Sequence, residues 1–327
     1  MFPAPHRGLL ICALGVLLGA LVMSVWAPST LDAAVAQTLR HNDVGEAELD
    51  RPIPGRSVSY LVVGSDRREG MPRDFAALGA LTGERADVVM VWHVNFRTHV
   101  IRVVGMSRYL RVHLNDHGTQ MLSGALEYGA STVVEAVRSL TGIPVHHYVE
   151  LDFSALHDLV EAVGGITLLI PKPARDQVTH LDLRAGEQRL DGDQVLAFIR
   201  SRQFEEFRDG QWVPADAGDD GRIGRQQRVI RALLERVAES DDAATLTRVF
   251  VAFARRVTVD RTMGSGDVAE LRKLLAEGPK LTTQILPTRS EVPAAESVSP
   301  FPPLHAGRVS FRELDEPAAS LLLRELT

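Results

Sequence analysis

Cysteine is the residue this chain most conspicuously lacks: Cys12 is the only one in 327 residues, and it lies in the first apolar run. The rest of the chain therefore has no disulfide, no zinc–thiolate cluster and no cysteine nucleophile available to it. Lysine is nearly as scarce, with Lys172, Lys273 and Lys280 alone among 36 basic residues. GC-rich coding produces such a bias, so the arginine count by itself carries no chemistry. The net charge of −6 argues against a nucleic-acid partner. No internal repeat is visible. What remains is ample: 45% hydrophobic content over this length can bury a large core.

Arg7 precedes nineteen uncharged residues, Gly8 to Trp26. That length just crosses a bilayer as a helix, with Trp26 at the far interface. The basic residues lie before the run and Asp32 after it, so residues 1–7 are expected in the cytoplasm, 8–26 as a single membrane anchor, and the bulk outside. The competing reading is a signal peptide cleaved at Ala34-Val35-Ala36, although the gap before that site is long. Residues 27–56 read as a polar tether.

The globular part opens with VSYLVVG (58–64), a buried strand, followed by Ser65-Asp66-Arg67-Arg68. Strands at 87–95 and 99–105 read as a hairpin, with Arg85 and Asp87 before it and Arg108 after it. Apolar spacing predicts helices over 131–140 and 153–163, alternating with strands at 145–151 and 166–170. Gly164-Gly165 reads as a helix stop. Later helices are expected at 191–199, 222–239, 243–256 and 266–276, with a strand near 282–286. Residues 287–307 read as irregular and 313–326 as a final helix packed on the body. Alternation of this kind implies an α/β fold: one extracytoplasmic domain over 57–286, with a mixed sheet covered by helices on both faces.

The stretch Phe198–Arg228 holds six arginines and six acids. From Arg222 a helical apolar stripe continues backwards into Arg222 and Gln226, an odd place for a cation because the macrodipole favours anions at a helix start. An anion between the arginines resolves this, since first-turn N–H groups and guanidinium forks both suit phosphate. The plain alternative is a solvated loop whose arginines pair with Glu205, Glu206, Asp219 and Asp220. Arg200 and Arg202 face one site only if the chain is extended there. The intervening segment 204–220 reads as a mobile flap or spacer.

Asp66, Arg85, Asp87, Arg108, Arg200, Arg202, Arg222 and Gln226 all border strand or helix ends, where α/β sheets bind ligands. Two carboxylates hold one hard divalent cation such as Mg²⁺. Several arginines at one site need a multiply charged anion among them. Taken singly, turn and cap chemistry explains the acids, and surface ion pairs worth about 0–1 kcal/mol explain the arginines. Six histidines (113, 117, 146, 147, 157, 180) make no recognised ligand set, and His146 and His147 point to opposite faces of a strand, so structural roles are expected.

Order and local sequence tip the balance. LVVGSDRR, RAD, MSR, HHYVELDFSALHDLVEAVGGITLLI, LDGDQVLAFIRSR and DGRIGRQQRVIRALL together resemble the LytR-CpsA-Psr family domain from about Ser57 to Leu281. The resemblance implies a single-pass envelope phosphotransferase that moves a glycopolymer from a polyprenyl-pyrophosphate carrier to a peptidoglycan hydroxyl. It implies Asp66 and Asp87 as acids for Mg²⁺ (or Mn²⁺) and as candidate bases. Arg85, Arg108, Arg200, Arg202 and Arg222 become pyrophosphate contacts and Gln226 the site glutamine, while Arg225 faces either the site or solvent. Two departures stand out. Gly105-Met106-Ser107-Arg108-Tyr109 replaces the family's S-(I/V)-P-R-D, and Met121-Leu122-Ser123-Gly124-Ala125 replaces K-I-N-A-A. Loops 67–84 and 203–219 also look long. A polyprenyl-pyrophosphate phosphatase, or a non-catalytic lipid-glycan binding protein, uses the same constellation. The lipid needs an apolar groove, for which the helices at 133–140 and 153–163 offer apolar faces, and ordinary core packing accounts for those side chains equally well.

The anchor reading has a direct check. After a high-salt wash of cell membranes the protein is expected in the pellet, and release into the supernatant would indicate cleavage after Ala36.

Overall fold

A computed structural model of the chain describes residues 39–53, 57–65, 85–215, 219–239, 256–277, 279–290 and 311–326, with Thr245 and Val249 besides. The expected anchor (8–26), Asp66 and most of the helix expected at 243–256 lie outside the described residues. Among the described residues no helix is long and apolar enough to cross a membrane.

In chain order the structure opens with β1 (Arg40–His41), β2 (Val58–Ser65), β3 (Ala86–Asn95), β4 (Val100–Met106), β5 (Arg111–Leu114) and β6 (Gly118–Met121). A 3₁₀ turn (Leu122–Tyr128), α1 (Ala130–Thr141), β7 (His147–Asp152), α2 (Phe153–Ala162), β8 (Ile166–Ile170), β9 (Ala174–Asp176), β10 (Leu181–Leu183) and β11 (Gly186–Leu190) follow. Then come α3 (Gly192–Arg200), β12 (Glu205–Arg208), β13 (Gln211–Pro214), α4 (Asp219–Ala238), β14 (Val257–Val259), α5 (Ser265–Ala276) and β15 (Lys280–Ile285). The order closes with β16 (Thr288–Ser290), β17 (Arg312–Leu314) and α6 (Glu316–Leu323).

Seven strands form the central sheet in the order β1-β14-β7-β2-β3-β4-β15. It is mixed. β2 pairs antiparallel with β3 and parallel with β7, and β15 pairs parallel with β4. Strands buried on both sides read as near-continuous apolar runs, and β2 is almost wholly buried. Alternate side chains enter two cores. Tyr60, Val62, Met90 and Trp92 meet α2, α3, α4 and α5 on one face, while Leu61, Val63, Val89 and Val91 meet the 3₁₀ turn, α1 and α6 on the other. The expected architecture of helices on both faces is present.

Several local expectations need correction. Part of the segment read as a tether, 27–56, is folded instead: β1 pairs with β14, and Val44 and Leu49 are buried in the core. The segment 204–220 is not a flap: β12 and β13 form a hairpin that extends a second antiparallel sheet, β10-β9-β12-β13. Its two-residue turn is Asp209-Gly210, both at positive φ (51° and 83°), which matches right-handed strand twist. Residues read as irregular after 287 include β16, which pairs with β17 at the start of the expected last helix. The helix at 133–140 packs on the face opposite 153–163, so the two line no common groove.

The described histidines at 146 and 147 hold structure. His146 Nδ1 accepts the Ser59 amide at 2.9 Å, while His147 stacks on Tyr60 and lies 3.2 Å from Asp260 Oδ2.

Gly105, near the end of β4, allows α4 to sit close to the sheet: an added Cβ would stand 2.7 Å from Ile223 Cγ2. Ile is stiff at χ1 and cannot swing away cheaply. Gly105→Ala is therefore expected to lower stability by about 1–3 kcal/mol through overpacking. Chemical denaturation checks this, and Ile223→Ala in the same chain should recover part of the loss.

Candidate active site

Strand direction gathers residues that are far apart in sequence. Because β3 runs antiparallel to β2, its start lies beside the end of β2, with Ser65 paired to Ala86. β4 returns antiparallel to β3, so its end reaches the same edge, with Met106 paired to Val89. Arg85, Asp87 and Arg108 thus share one sheet edge. The end of α3 and the start of α4 bring Arg202 and Arg222 to that edge.

Asp87 is the centre. Nη1 of Arg108 donates to its Oδ1, and Nη2 of Arg202 lies 3.8 Å from its Oδ2. Burial pushes the Asp87 carboxyl up, but the guanidiniums of Arg108, Arg222 and Arg202 outweigh it and hold the carboxyl below its usual range. Arg202 is pressed the other way: burial and the charge of Arg108, and further off Arg222, lower its pKa, against the pull of Asp87 and Tyr109. Among the described residues three guanidiniums act on this one carboxylate. Guanidinium forks gathered in this way suit an anion with several charges.

The remaining described residues of the predicted set make other contacts. Arg85 reaches Glu127 of the 3₁₀ turn, Nε to Oε1 3.9 Å. Arg200 stands over the Phe153 ring, 5.4 Å from its centroid. Gln226 is buried and lines an apolar cavity with Val62, Met90, Trp92, Leu156 and Ile230. That cavity opens between the sheet and helices α2, α3 and α4. Asp152, another of its lining residues, caps α2 by accepting the Ala155 amide at 2.6 Å.

Two residues outside the predicted set hold the arginine turn in place. Arg225 does not face solvent. It is buried, donating from Nε to the Phe198 carbonyl at 3.0 Å and from Nη2 to the Ser201 carbonyl at 2.5 Å. Its guanidinium also covers the Phe204 ring at 4.5 Å, and burial lowers its pKa to about 10. Asp176, fully buried, accepts from Ser201 Oγ at 2.6 Å and from the amides of Arg202 and Gln203 at 3.0 and 2.9 Å. α3 ends at Arg200, and Ser201 has extended ψ (128°), so Arg200 and Arg202 leave a helix end rather than a helix face. Local sequence explains only the bonds that Asp176 accepts from the Val178 and Thr179 amides, whereas its partners at the arginine turn lie about 25 residues away. Tyr109, whose hydroxyl accepts from Arg108 Nη2 at 2.8 Å, also went unpredicted.

Donor chemistry suits a hard cation. Asp87 Oδ2 makes no hydrogen bond among the described residues, and neither does the buried hydroxyl of Ser65. Carboxylate and hydroxyl oxygens are the donors Mg²⁺ takes, usually with substrate phosphates and water completing its shell. Among the described residues no group of three or more His, Cys, Asp or Glu forms an all-protein metal cage.

The sequence model of the LytR_cpsA_psr family matches residues 29–298. The chain belongs to that family. It is 29% identical over 278 residues to a probable cell wall biosynthesis protein, LcpB, of Corynebacterium glutamicum, covering 82% of this chain and 61% of that one. It is 28% identical over 198 residues to a polyisoprenyl-teichoic acid–peptidoglycan teichoic acid transferase, TagU, of Enterococcus faecalis, covering 58% of this chain and 61% of that one. The chain thus spans about three-fifths of the length of these relatives. Among solved structures, the LytR-Csp2A-Psr enzyme from Actinomyces oris superimposes with a TM-score of 0.68 at 24% identity, covering 88% of this chain and 96% of that one. A structure titled TagT bound to LI-WTA superimposes at 0.61 with 19% identity, covering 88% and 96%. The last two show a shared fold.

Asp176 gives a pH-dependent test of the arginine turn. Burial raises its carboxyl, but the bonds from Ser201, Gln203, Thr179 and Val178 outweigh that and depress it. A depressed folded pKa means the stabilisation is full above the unfolded value and is lost as pH falls through the folded one. Asp176→Ala is expected to cost about 2–4 kcal/mol at pH 7, by stranding buried donors. The gap to wild type in urea melts should narrow below about pH 4, near the unfolded carboxyl value.

Proposed function

We propose that this protein is a phosphotransferase that moves a glycopolymer from a polyprenyl-pyrophosphate carrier to a peptidoglycan hydroxyl, acting outside the cell on an N-terminal membrane anchor. The carrying observation is the ring of Arg108, Arg202 and Arg222 around Asp87, beside an apolar cavity. The first matches a pyrophosphate and the second a polyprenyl tail. The names of the relatives, cell wall biosynthesis protein and teichoic acid transferase, support the same reading.

In this reading Arg108, Arg202 and Arg222 grip the non-bridging oxygens, and Arg85 and Arg200 extend the cationic rim. A bound anion relieves the mutual repulsion of the guanidiniums, so binding and positioning are coupled. Asp87 and Asp66 would hold Mg²⁺ or Mn²⁺, which supplies Lewis-acid charge at the phosphoryl oxygens. The arginines stabilise charge as it grows on the transferred and leaving phosphates, the main demand of phosphoryl transfer. The sugar hydroxyl attacks the phosphorus next to the glycan, and polyprenyl phosphate leaves into the apolar cavity lined by Leu156 and Ile230. The second core, behind α1, takes no part in holding the tail.

The test uses the full chain in detergent with a short-chain lipid-pyrophosphate glycan, peptidoglycan fragments and Mg²⁺. A phosphodiester-linked product is expected, and Asp87→Ala should reduce its rate by at least about 100-fold. Lipid phosphate released without linked sugar would instead identify a phosphatase. Tight binding with no turnover, unchanged in Asp87→Ala, would rule out enzymatic action.

A further inference from the structure

Tyr109 directly follows Arg108, the arginine that holds Asp87. Its phenolic oxygen accepts from Nη2 of Arg108 at 2.8 Å, and Arg108 Cζ sits 4.6 Å from the Tyr109 ring centroid. The same guanidinium holds Asp87 through Nη1. One arginine therefore fixes the spacing between a carboxylate and a phenol. The Tyr109 backbone is held as well, its carbonyl accepting the Arg312 amide at 2.9 Å, while the Arg312 guanidinium turns away to Asp220 and Thr288. The charged groups acting on the phenol are Arg108, Arg202 and Arg222, with Asp87 across the shared guanidinium.

A sugar hydroxyl needs a base whose pKa lies near the working pH. Asp87 is ill suited, because Arg108 occupies one of its oxygens and three guanidiniums hold its carboxyl low. The phenol is displaced in the useful direction. Burial raises its pKa, but the charge and hydrogen bond of Arg108, followed by Arg202 and Arg222, bring it below its ordinary 10.0.

We propose that Tyr109 is the general base of this site, an inference that rests on the transfer reaction proposed above. The phenolate oxygen takes the proton of the attacking sugar hydroxyl. The sugar oxygen then bonds to the phosphorus next to the glycan. The bond from that phosphorus to the bridging oxygen breaks, and its electron pair leaves with polyprenyl phosphate. Tyr109 is only partly buried, so its proton passes back to solvent before the next turnover.

Two measurements on the detergent-solubilised full chain test this, with Tyr109→Phe and Tyr109→Asp as variants. Ultraviolet titration follows the four tyrosines of the chain. Tyr60 ionises well above its usual value because it is buried. One phenol is expected to ionise early in wild type and to be missing from Tyr109→Phe. In the transfer assay, wild-type kcat should rise with pH through that same pKa. Tyr109→Phe should lose about 100-fold in kcat with KM changed by less than about 3-fold, and should lose the rise itself. Tyr109→Asp should keep a measurable rate, with the rise moved to lower pH. Turnover intact with no early-ionising phenol, or Tyr109→Phe retaining the wild-type rate or pH profile, overturns the role of Tyr109 and leaves the transfer reading standing. An early-ionising phenol in a wild-type protein with no turnover at any pH overturns the transfer reading and the base with it.

Discussion

The ion pair between Asp87 and Arg108 forms where water hardly reaches, with 13% and 5% of the two side chains exposed. Taking both charges out of water is costly, and their attraction offsets that cost only with good geometry and further partners. Arg108 has such a partner in Tyr109, and Asp87 has Arg202 and Arg222 nearby. Among the described residues three guanidiniums act on this single carboxylate. A cluster of that kind suits a multiply charged anion.

Keeping like charges together requires scaffolding, and the scaffold is separate from the site. Arg225 bonds the carbonyls at the end of α3, and Asp176 bonds the amides just beyond it. Both are buried. The β12–β13 hairpin continues directly from this turn and joins β9, which also carries Asp176. The arginine turn is thereby stitched into the second sheet. On the other side, Arg312 ties the C-terminal strand to the first turn of α4 and to the backbone of Tyr109.

Much of this was legible beforehand, for identifiable reasons. The central strands and the helices of both layers follow from apolar period, since each buries a face that alternates or recurs regularly. The arginine ends of Phe198–Arg228 stood out because a core-facing stripe turned cationic. The hairpin is legible too: EEFRDGQWVP places Asp-Gly between two short strands, a strong two-residue turn signal. Its acidic residues suggested a solvated spacer, yet Glu205 pairs with Arg175 at 2.7 Å, and Arg175 in turn covers Trp212. Period does not locate a lipid groove. It shows that a helix has an apolar face, but not which side of the sheet that face covers.

The sequence by itself determined the strand and helix alternation, the residue types needed to bind a multiply charged anion, and the family to which they belong. These are properties of local pattern and composition along short stretches. Tertiary structure alone decided which charges meet. Phe198–Arg228 proved to contain two different kinds of arginine: Arg202 and Arg222 act on Asp87, while Arg225, three residues along the same helix, is buried as a brace. The difference comes from rotation about one helix axis against a sheet edge whose strands arrive from over a hundred residues earlier. No local signal encodes that juxtaposition, because it depends on the registers of β2, β3 and β4 and on how closely α4 approaches them at Gly105.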